Sequence, residues 1–220
     1  TGKLKMQKNI HVAGVGMTRF GPHPEGTIKS LTREAVTACL VDAGATRDDV
    51  QAVFFANTGQ AVFEGQIAIP GQIALKHAGI EGVPVVNVEN ACASGATAFW
   101  LACRYLESGA ADIVLAVGAE KMVFEAEAQK AAVFRAFEGG MDISEADATL
   151  NTLLELGKGI DGPSGEGHRT RFMDIYAAVC RAHMSRFGTT QRQLAIVAPK
   201  NHDHAEHNDK CHFRKPISVD

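Results

Sequence analysis

From Ile10 to Gly118, short apolar runs alternate with longer stretches whose apolar residues recur at helical spacing. Such alternation predicts strands and helices taken in turn. HVAGVG (11–16) reads as a first strand, QAVFFA (51–56) as a second, PVVNVE (84–89) as a third and DIVLAVG (112–118) as a fourth. The first helix spans Ile28 to Ala43. Leu31, Ala35, Cys39 and Leu40 share one face, and Gly44 supplies the C-terminal stop. Thr46 and Asp49 have capping-box spacing ahead of a short helical turn. A second helix fits Ile67 to Ala78, with Pro70 tolerated near its first turn and Gly79 closing it. A third fits Ala93 to Ser108, closed by Gly109. The unbroken apolar run at 112–118 is expected where both faces of a sheet are covered. These elements predict a layered α/β domain on a mixed or parallel sheet.

After Glu120 the character changes. Residues 121–165 hold helical pieces and many glycines but no clear strand, which predicts an inserted, mainly helical loop lobe. A strong helix follows from Arg171 to Phe187, stopped by Gly188. Thr190 with Gln193 caps another, which Pro199 should bend or end early. The pattern divides the chain into a core (1–120), the inserted lobe (121–170) and a return segment (171–220) that ends as though a further part should follow.

Composition narrows the function classes. The chain has 220 residues and a formal net charge of −3, which speaks against a general nucleic-acid or membrane-surface binder. No apolar run has the length of a membrane span, and the first residues lack a secretory h-region with a cleavage site. The five cysteines, Cys39, Cys92, Cys103, Cys180 and Cys211, are odd in number and widely spaced, without a C-x-x-C. A disulfide framework is not expected, and a reducing, cytoplasmic compartment fits better.

One cysteine stands apart. A strand ends near Glu89 and a helix resumes near Ala93, so Cys92 falls on a sharp strand-to-helix turn. Its sulfur is placed near unpaired backbone N–H groups and the positive end of the helix dipole, an environment suited to a nucleophilic thiolate. Other α/β enzymes present a nucleophile on the same kind of turn. Ala91, Ala93, Ser94, Gly95 and Ala96 are small and leave room for a substrate or a second chain. The competing reading makes Cys92 one more small buried thiol.

The stretch N-A-C-A-S-G (90–95), followed by a helix and then A-V-G-A-E-K-M (116–122), resembles the nucleophile region of thiolases of the sterol-carrier-protein type. G-V-G-M-T-R-F-G (14–21), G-H-R-T-R-F-M-D-I-Y-A (167–177) and K-N-H-D-H (200–204) match more loosely, so that the resemblance covers essentially the whole chain. It implies a thiolase-like layered fold, with this chain as the N-terminal half. It implies that Cys92 attacks the keto carbon of a 3-ketoacyl-CoA or accepts an acyl group from an acyl-CoA, dividing one hard step into two. The Cys92 N–H could join an oxyanion site. Asn90, Ser94 and Gly95 beside the nucleophile, and His168, Arg169 and Arg171 where the lobe returns, are the substrate-binding residues it suggests. Arg169, Arg171 and Lys158 could meet the CoA phosphates. The resemblance implies no metal or redox cofactor, CoA being a substrate. It also implies a homodimer, or a hetero-complex with a complementary half or a small OB-fold protein.

A complete thiolase carries a G-H-P histidine and a second cysteine in its second half. Neither can be read here, and Cys211, in DKCHF, is not in a matching context. A truncated chain, a split enzyme and a non-catalytic acyl-CoA-binding half all remain open. So does an aldolase related to thiolases, which would split a hydroxyacyl-CoA beside a zinc-containing OB-fold partner. Two other motifs are weaker. His202, His204, His207, Cys211 and His212 are zinc-ligand types, but their spacing fits no closed-site pattern. Gly14 and Gly16 suggest a nucleotide loop, but Arg19 replaces its third glycine.

Overall fold

The computed structural model describes residues 9–160 and 170–219 of the chain. They fall into two compact units, Thr1–Thr18 with Pro22–Val133, and Arg19–Gly21 with Phe134–Asp220.

The first unit is built on three parallel strands, β1 (Ala52–Ala56), β2 (Val85–Val88) and β3 (Val114–Gly118), in the order β2-β1-β3. Ala56 pairs with Val88 on one side and Gly118 on the other, so the three strands end at one level. Every residue of β1 is buried, because the sheet is covered on both faces. On one face α1 (Ile28–Ala43) and α3 (Pro70–His77) bring Ile28, Val36, Leu40 and Leu75 against Val53 and Phe55. On the other, α4 (Ser94–Glu107) lays Ala98 and Ala102 against Phe54, Ala56 and Val88. Those alanines allow close approach, and Tyr105 completes the layer edge-on to Phe54, with ring centroids 5.6 Å apart.

The helix boundaries follow from their caps. Thr27 Oγ1 accepts from the Ser30 N–H at 3.1 Å, and the Ser30 hydroxyl accepts from the Thr27 N–H at 2.9 Å. Gly44 ends α1 in the left-handed conformation at φ 62°. Its most buried residues are Ile28, Thr32, Val36 and Leu40, while Leu31, Ala35 and Cys39 lie half-buried at the edge of that face. The expected turn after Thr46 is a three-residue 3-10 helix, Arg47–Asp49, with its capping box formed. The helix expected from Ile67 begins instead at Pro70: proline disfavours helical backbone in the preceding residue, and Ile69 takes φ 47°. A short α2 (Gln60–Phe63) after β1 has no counterpart in the sequence reading.

The strand expected at 11–16 does not form. The Val15 N–H donates to Asp42 Oδ2 of α1 at 2.8 Å rather than to a neighbouring strand. A Cβ on Gly14 would stand 2.6 Å from the Ala43 nitrogen, so glycine here lets the segment lie against α1. Without that strand, the sheet among the described residues is wholly parallel.

From Glu127 onward the described elements are helical: α5 (Glu127–Glu138), α6 (Ala146–Leu156), α7 (Arg171–Phe187) and α8 (Gln191–Glu206). In the second unit α6 packs on α7, and Phe172 sits between Phe137 and Tyr176 with centroids 5.0 and 4.7 Å away. Helix α8 runs through Pro199 to Glu206 instead of ending early. Its capping box at Thr190 and Gln193 and the remaining helical bonds outweigh the one that proline removes. Among the described residues no helix is long and apolar enough to cross a membrane.

Candidate active site

Three chain segments leave the same edge of the parallel sheet. Strand β2 passes through Glu89 and Asn90 into a 3-10 turn, Ala91–Ala93, that leads directly into α4. Cys92 is at the centre of this turn and is exposed, as are Ala91, Ala93, Gly95 and Ala96. The turn is as sharp as the sequence suggests: Ala91 has φ 45°, a left-handed conformation that costs a residue with a Cβ about 1–2 kcal/mol. A Cβ added at Gly95 would meet nothing within 4 Å, so the first turn of α4 is open on the cysteine side.

Hydrogen bonds hold the turn in that shape. The Ala91 N–H donates to Glu89 Oε1 at 2.6 Å. The Asn90 N–H donates to Ser94 Oγ at 2.8 Å, and Asn90 Nδ2 donates to Thr97 Oγ1 at 2.9 Å. Ser94 is buried and also donates to the Ala91 carbonyl at 2.7 Å. Thr58, in the loop after β1, reaches the same carbonyl at 3.0 Å.

Glu120, two residues beyond β3, joins the loop to the sheet. Its carboxylate accepts the N–H groups of Thr58 at 2.9 Å and Gly59 at 3.1 Å, and Asn57 Nδ2 at 3.2 Å. Burial pushes this carboxyl above its ordinary value, an effect offset in part by those hydrogen bonds. Its neighbour Lys121 donates to the carbonyls of Pro24 at 3.0 Å and Gly26 at 2.5 Å, fixing the approach to α1. On the β2 side, Asn87 Oδ1 accepts the Gly71 N–H at 2.7 Å and ties α3 to the strand. Between the loops lies an open cleft of about 220 Å³, bordered by Asn57, Thr58, Ile67, Ile69, Asn87 and Glu89.

The structure thus gathers Cys92, Asn90, Ser94 and Gly95 on one turn. Ser94 and Asn90 support that turn with their hydrogen bonds. Arg171 belongs to the second unit, at the start of α7, where its guanidinium pairs with Asp147 of α6. Lys158 pairs with Glu155 at 3.5 Å in the same unit. His168 and Arg169 lie outside the described residues. The sequence pattern carries no signal for Thr58, whereas Glu120 falls within the A-E-K-M stretch (119–122) that follows β3. The other thiols differ from Cys92 in setting. Cys39 donates to the Gly14 carbonyl at 3.4 Å, and burial, with Asp42 adding to it, pushes its thiol up. His202 Nδ1 lies 2.6 Å from the Lys215 carbonyl, and His212 packs against Phe213. Among the described residues no group of three or more His, Cys, Asp or Glu side chains is arranged to hold a metal ion.

Residues 10–220 match the family model for the N-terminal domain of thiolase. The chain belongs to the thiolase family. Among thiolase relatives, the acetyl-CoA acetyltransferase of Methanothermobacter thermautotrophicus is 31% identical over 214 residues, covering 97% of this chain and 49% of the relative. Sterol carrier protein 2 of Gallus gallus is 31% identical over 220 residues, covering 98% of this chain and 36% of the relative. The non-specific lipid-transfer protein-like 2 of Caenorhabditis elegans is 32% identical over 96% of this chain and 48% of its own length. The chain therefore corresponds to the N-terminal half of a sterol-carrier-type thiolase and spans half or less of the length of these relatives. Among solved structures, the Ltp2-ChsH2(DUF35) aldolase has the same fold, with a TM-score of 0.57 and 18% identity over 94% of this chain and 46% of that one.

Proposed function

We propose that this chain carries the nucleophile of an acyl-CoA C-acyltransferase, with Cys92 as the acyl acceptor. The observation that supports it most directly is the exposed thiol on a left-handed turn at the N-terminus of α4, in a chain of the thiolase family. In thiolysis the Cys92 thiolate attacks the C3 carbonyl of a 3-ketoacyl-CoA. The C2–C3 bond breaks, its electron pair passes to C2, and protonation there releases acetyl-CoA or a related acyl-CoA. The acyl group on sulfur then moves to the thiol of a second CoA, which gives up its proton, and the Cys92 thiolate is restored. Run in reverse, the steps form a carbon–carbon bond. The developing oxyanion would face backbone N–H groups of the Cys92 turn, and the proton transfers would fall to groups beyond these residues. Small neighbours at 91, 93, 95 and 96 give the acyl chain room.

Complete activity is proposed to need more than this chain, since the relatives are at least about twice its length. Strand β2 lies at the edge of the described sheet with Val86 exposed, which suits pairing with a second copy. A hetero-complex with a complementary half is the other assembly proposed. A retro-aldol reaction on a hydroxyacyl-CoA beside a small OB-fold partner is the second reading, favoured by the fold likeness to an aldolase. The exposed Cys92 counts against it, because retro-aldol cleavage needs no acyl-cysteine.

Intact-mass spectrometry after mixing with acetyl-CoA or acetoacetyl-CoA tests the proposal. One acyl group gained by wild type and not by Cys92→Ser supports the nucleophile. An adduct that forms only with a co-purifying partner supports a divided enzyme. No adduct in either case overturns acyl transfer and leaves the aldolase or a binding role.

A further inference from the structure

The residue before the nucleophile is held from two sides. On one, Ser94 Oγ stands 2.7 Å from the Ala91 carbonyl oxygen; on the other, Thr58 Oγ1 stands 3.0 Å from it. The two hydroxyls are themselves 3.0 Å apart; each has one hydrogen, so when both donate to the Ala91 carbonyl their mutual approach is a contact between oxygens with no hydrogen between them. Ser94 belongs to α4 and moves with the cysteine turn. Thr58 belongs to another segment of the chain, so its position must be fixed independently if it is to restrain the turn.

Glu120 provides that fixing. Its two carboxylate oxygens divide the work: Oε2 takes the Thr58 N–H, and Oε1 takes the Gly59 N–H and the Asn57 amide. Asn57 in turn donates to the Ala119 carbonyl at 2.8 Å and accepts the Gln60 N–H at 3.0 Å, closing the loop against the ends of β1 and β3. An ionised acceptor makes stronger hydrogen bonds than a neutral one. A partly buried carboxylate is costly, and here it is met by three amides of the one loop that reaches the Ala91 carbonyl.

We infer that Glu120 is a positioning residue for Cys92, acting through the Thr58 hydroxyl to hold the Ala91 carbonyl and keep the nucleophile turn in its left-handed shape. The inference rests on Cys92 being the reactive thiol. It assigns a role to the acidic residue of the A-E-K-M stretch and makes Thr58 the link between the ends of β1, β2 and β3.

The test is the rate of Cys92 alkylation by iodoacetamide, located by peptide mass spectrometry, in the full natural chain. Wild type is compared with Thr58→Val, which keeps the shape without the hydroxyl, with Thr58→Ser, which keeps the hydroxyl, and with Glu120→Gln. Thermal unfolding is followed alongside. Thr58→Val and Glu120→Gln should slow alkylation roughly fivefold, the equivalent of one ordinary hydrogen bond, while Thr58→Ser stays near wild type. A general packing role for the Thr58 methyl would give no such rescue by serine. Rates within twofold of wild type in folded Thr58→Val and Glu120→Gln overturn the inference. If Thr58→Val does not fold, Glu120→Gln decides alone. Acylation by acetyl-CoA, measured on the same samples, separates the two ideas: slowed alkylation without a wild-type acyl adduct keeps the clamp and removes the acyltransferase. An acyl adduct with unchanged alkylation does the reverse.

Discussion

The left-handed backbone at Ala91 yields a prediction with opposite signs at neighbouring positions. Ala91 and Ala93 are both exposed, so changing either removes little buried surface. Ala91 has φ 45°, whereas Ala93 has φ −93°. Glycine at 91 relieves about 1–2 kcal/mol of left-handed strain. It also returns about 0.4–1 kcal/mol to the unfolded chain as entropy. Ala91→Gly should therefore stabilise the protein by about 0.5–1 kcal/mol, a rise of roughly 1–4 °C in melting temperature for a chain of this size. Ala93→Gly has only the entropic cost and should lose about 0.5–1 kcal/mol. Ala91→Val, with a branched Cβ in the same conformation, should lose about 1–3 kcal/mol. Urea unfolding of the three variants gives the differences, and iodoacetamide labelling of Cys92 gives the functional side. Glycine at 91 should slow labelling even as it stabilises, because a turn free to leave its shape holds the thiol less well. If Ala91→Gly is as destabilising as Ala93→Gly, or Ala91→Val is tolerated, the turn carries no strain and the reasoning fails.

Two further outcomes follow from the same description. Phe55 is fully buried at the centre of the sheet, so Phe55→Ala should cost about 3–5 kcal/mol by denaturant unfolding, and a loss under about 1.5 kcal/mol would remove it from the core. Burial raises the Glu120 carboxyl above its ordinary value, so its contribution to stability is fully present below that value and is lost as pH rises through the folded-state value. Wild type should lose stability relative to Glu120→Gln as pH climbs out of the ordinary carboxylate range toward neutrality. Parallel curves from thermal melts across that window would refute the assignment.

The elements legible in the sequence were those whose ends are set by neighbouring residues. Thr27 with Ser30 and Gly44 bound α1, and Thr190 with Gln193 begins α8, each by contacts within one turn of chain. The three paired strands showed as apolar runs because both faces are covered. The segment 11–16 shows the limit of that signal. It is apolar enough for a strand, but a strand also needs a partner, and the Val15 N–H finds Asp42 of α1 instead. Proline misled in both directions: Pro70 delays the start of α3, while Pro199 sits inside α8 without stopping it.

The candidate site divides along the same line. The Cys92 turn is local and could be read from a strand that ends where a helix begins. The clamp beneath it joins residues separated by 62 positions (Thr58 to Glu120) and 33 positions (Thr58 to Ala91), which no spacing in one sequence reveals. Parallel topology explains why they meet. In a parallel sheet every strand runs the same way, so the segments following β1, β2 and β3 all emerge at one edge. The register, with Ala56 level with both Val88 and Gly118, brings them out at one height. Asn57 and Thr58 leave β1 there, Glu89 to Cys92 leave β2, and Ala119 and Glu120 leave β3. Each strand thus supplies one part: the nucleophile turn from β2, the hydroxyl that restrains it from β1, and the carboxylate that fixes that hydroxyl from β3. If any one strand ran antiparallel, its part would be delivered to the opposite edge. The parallel run of these three strands is therefore a requirement of this site and not only its support.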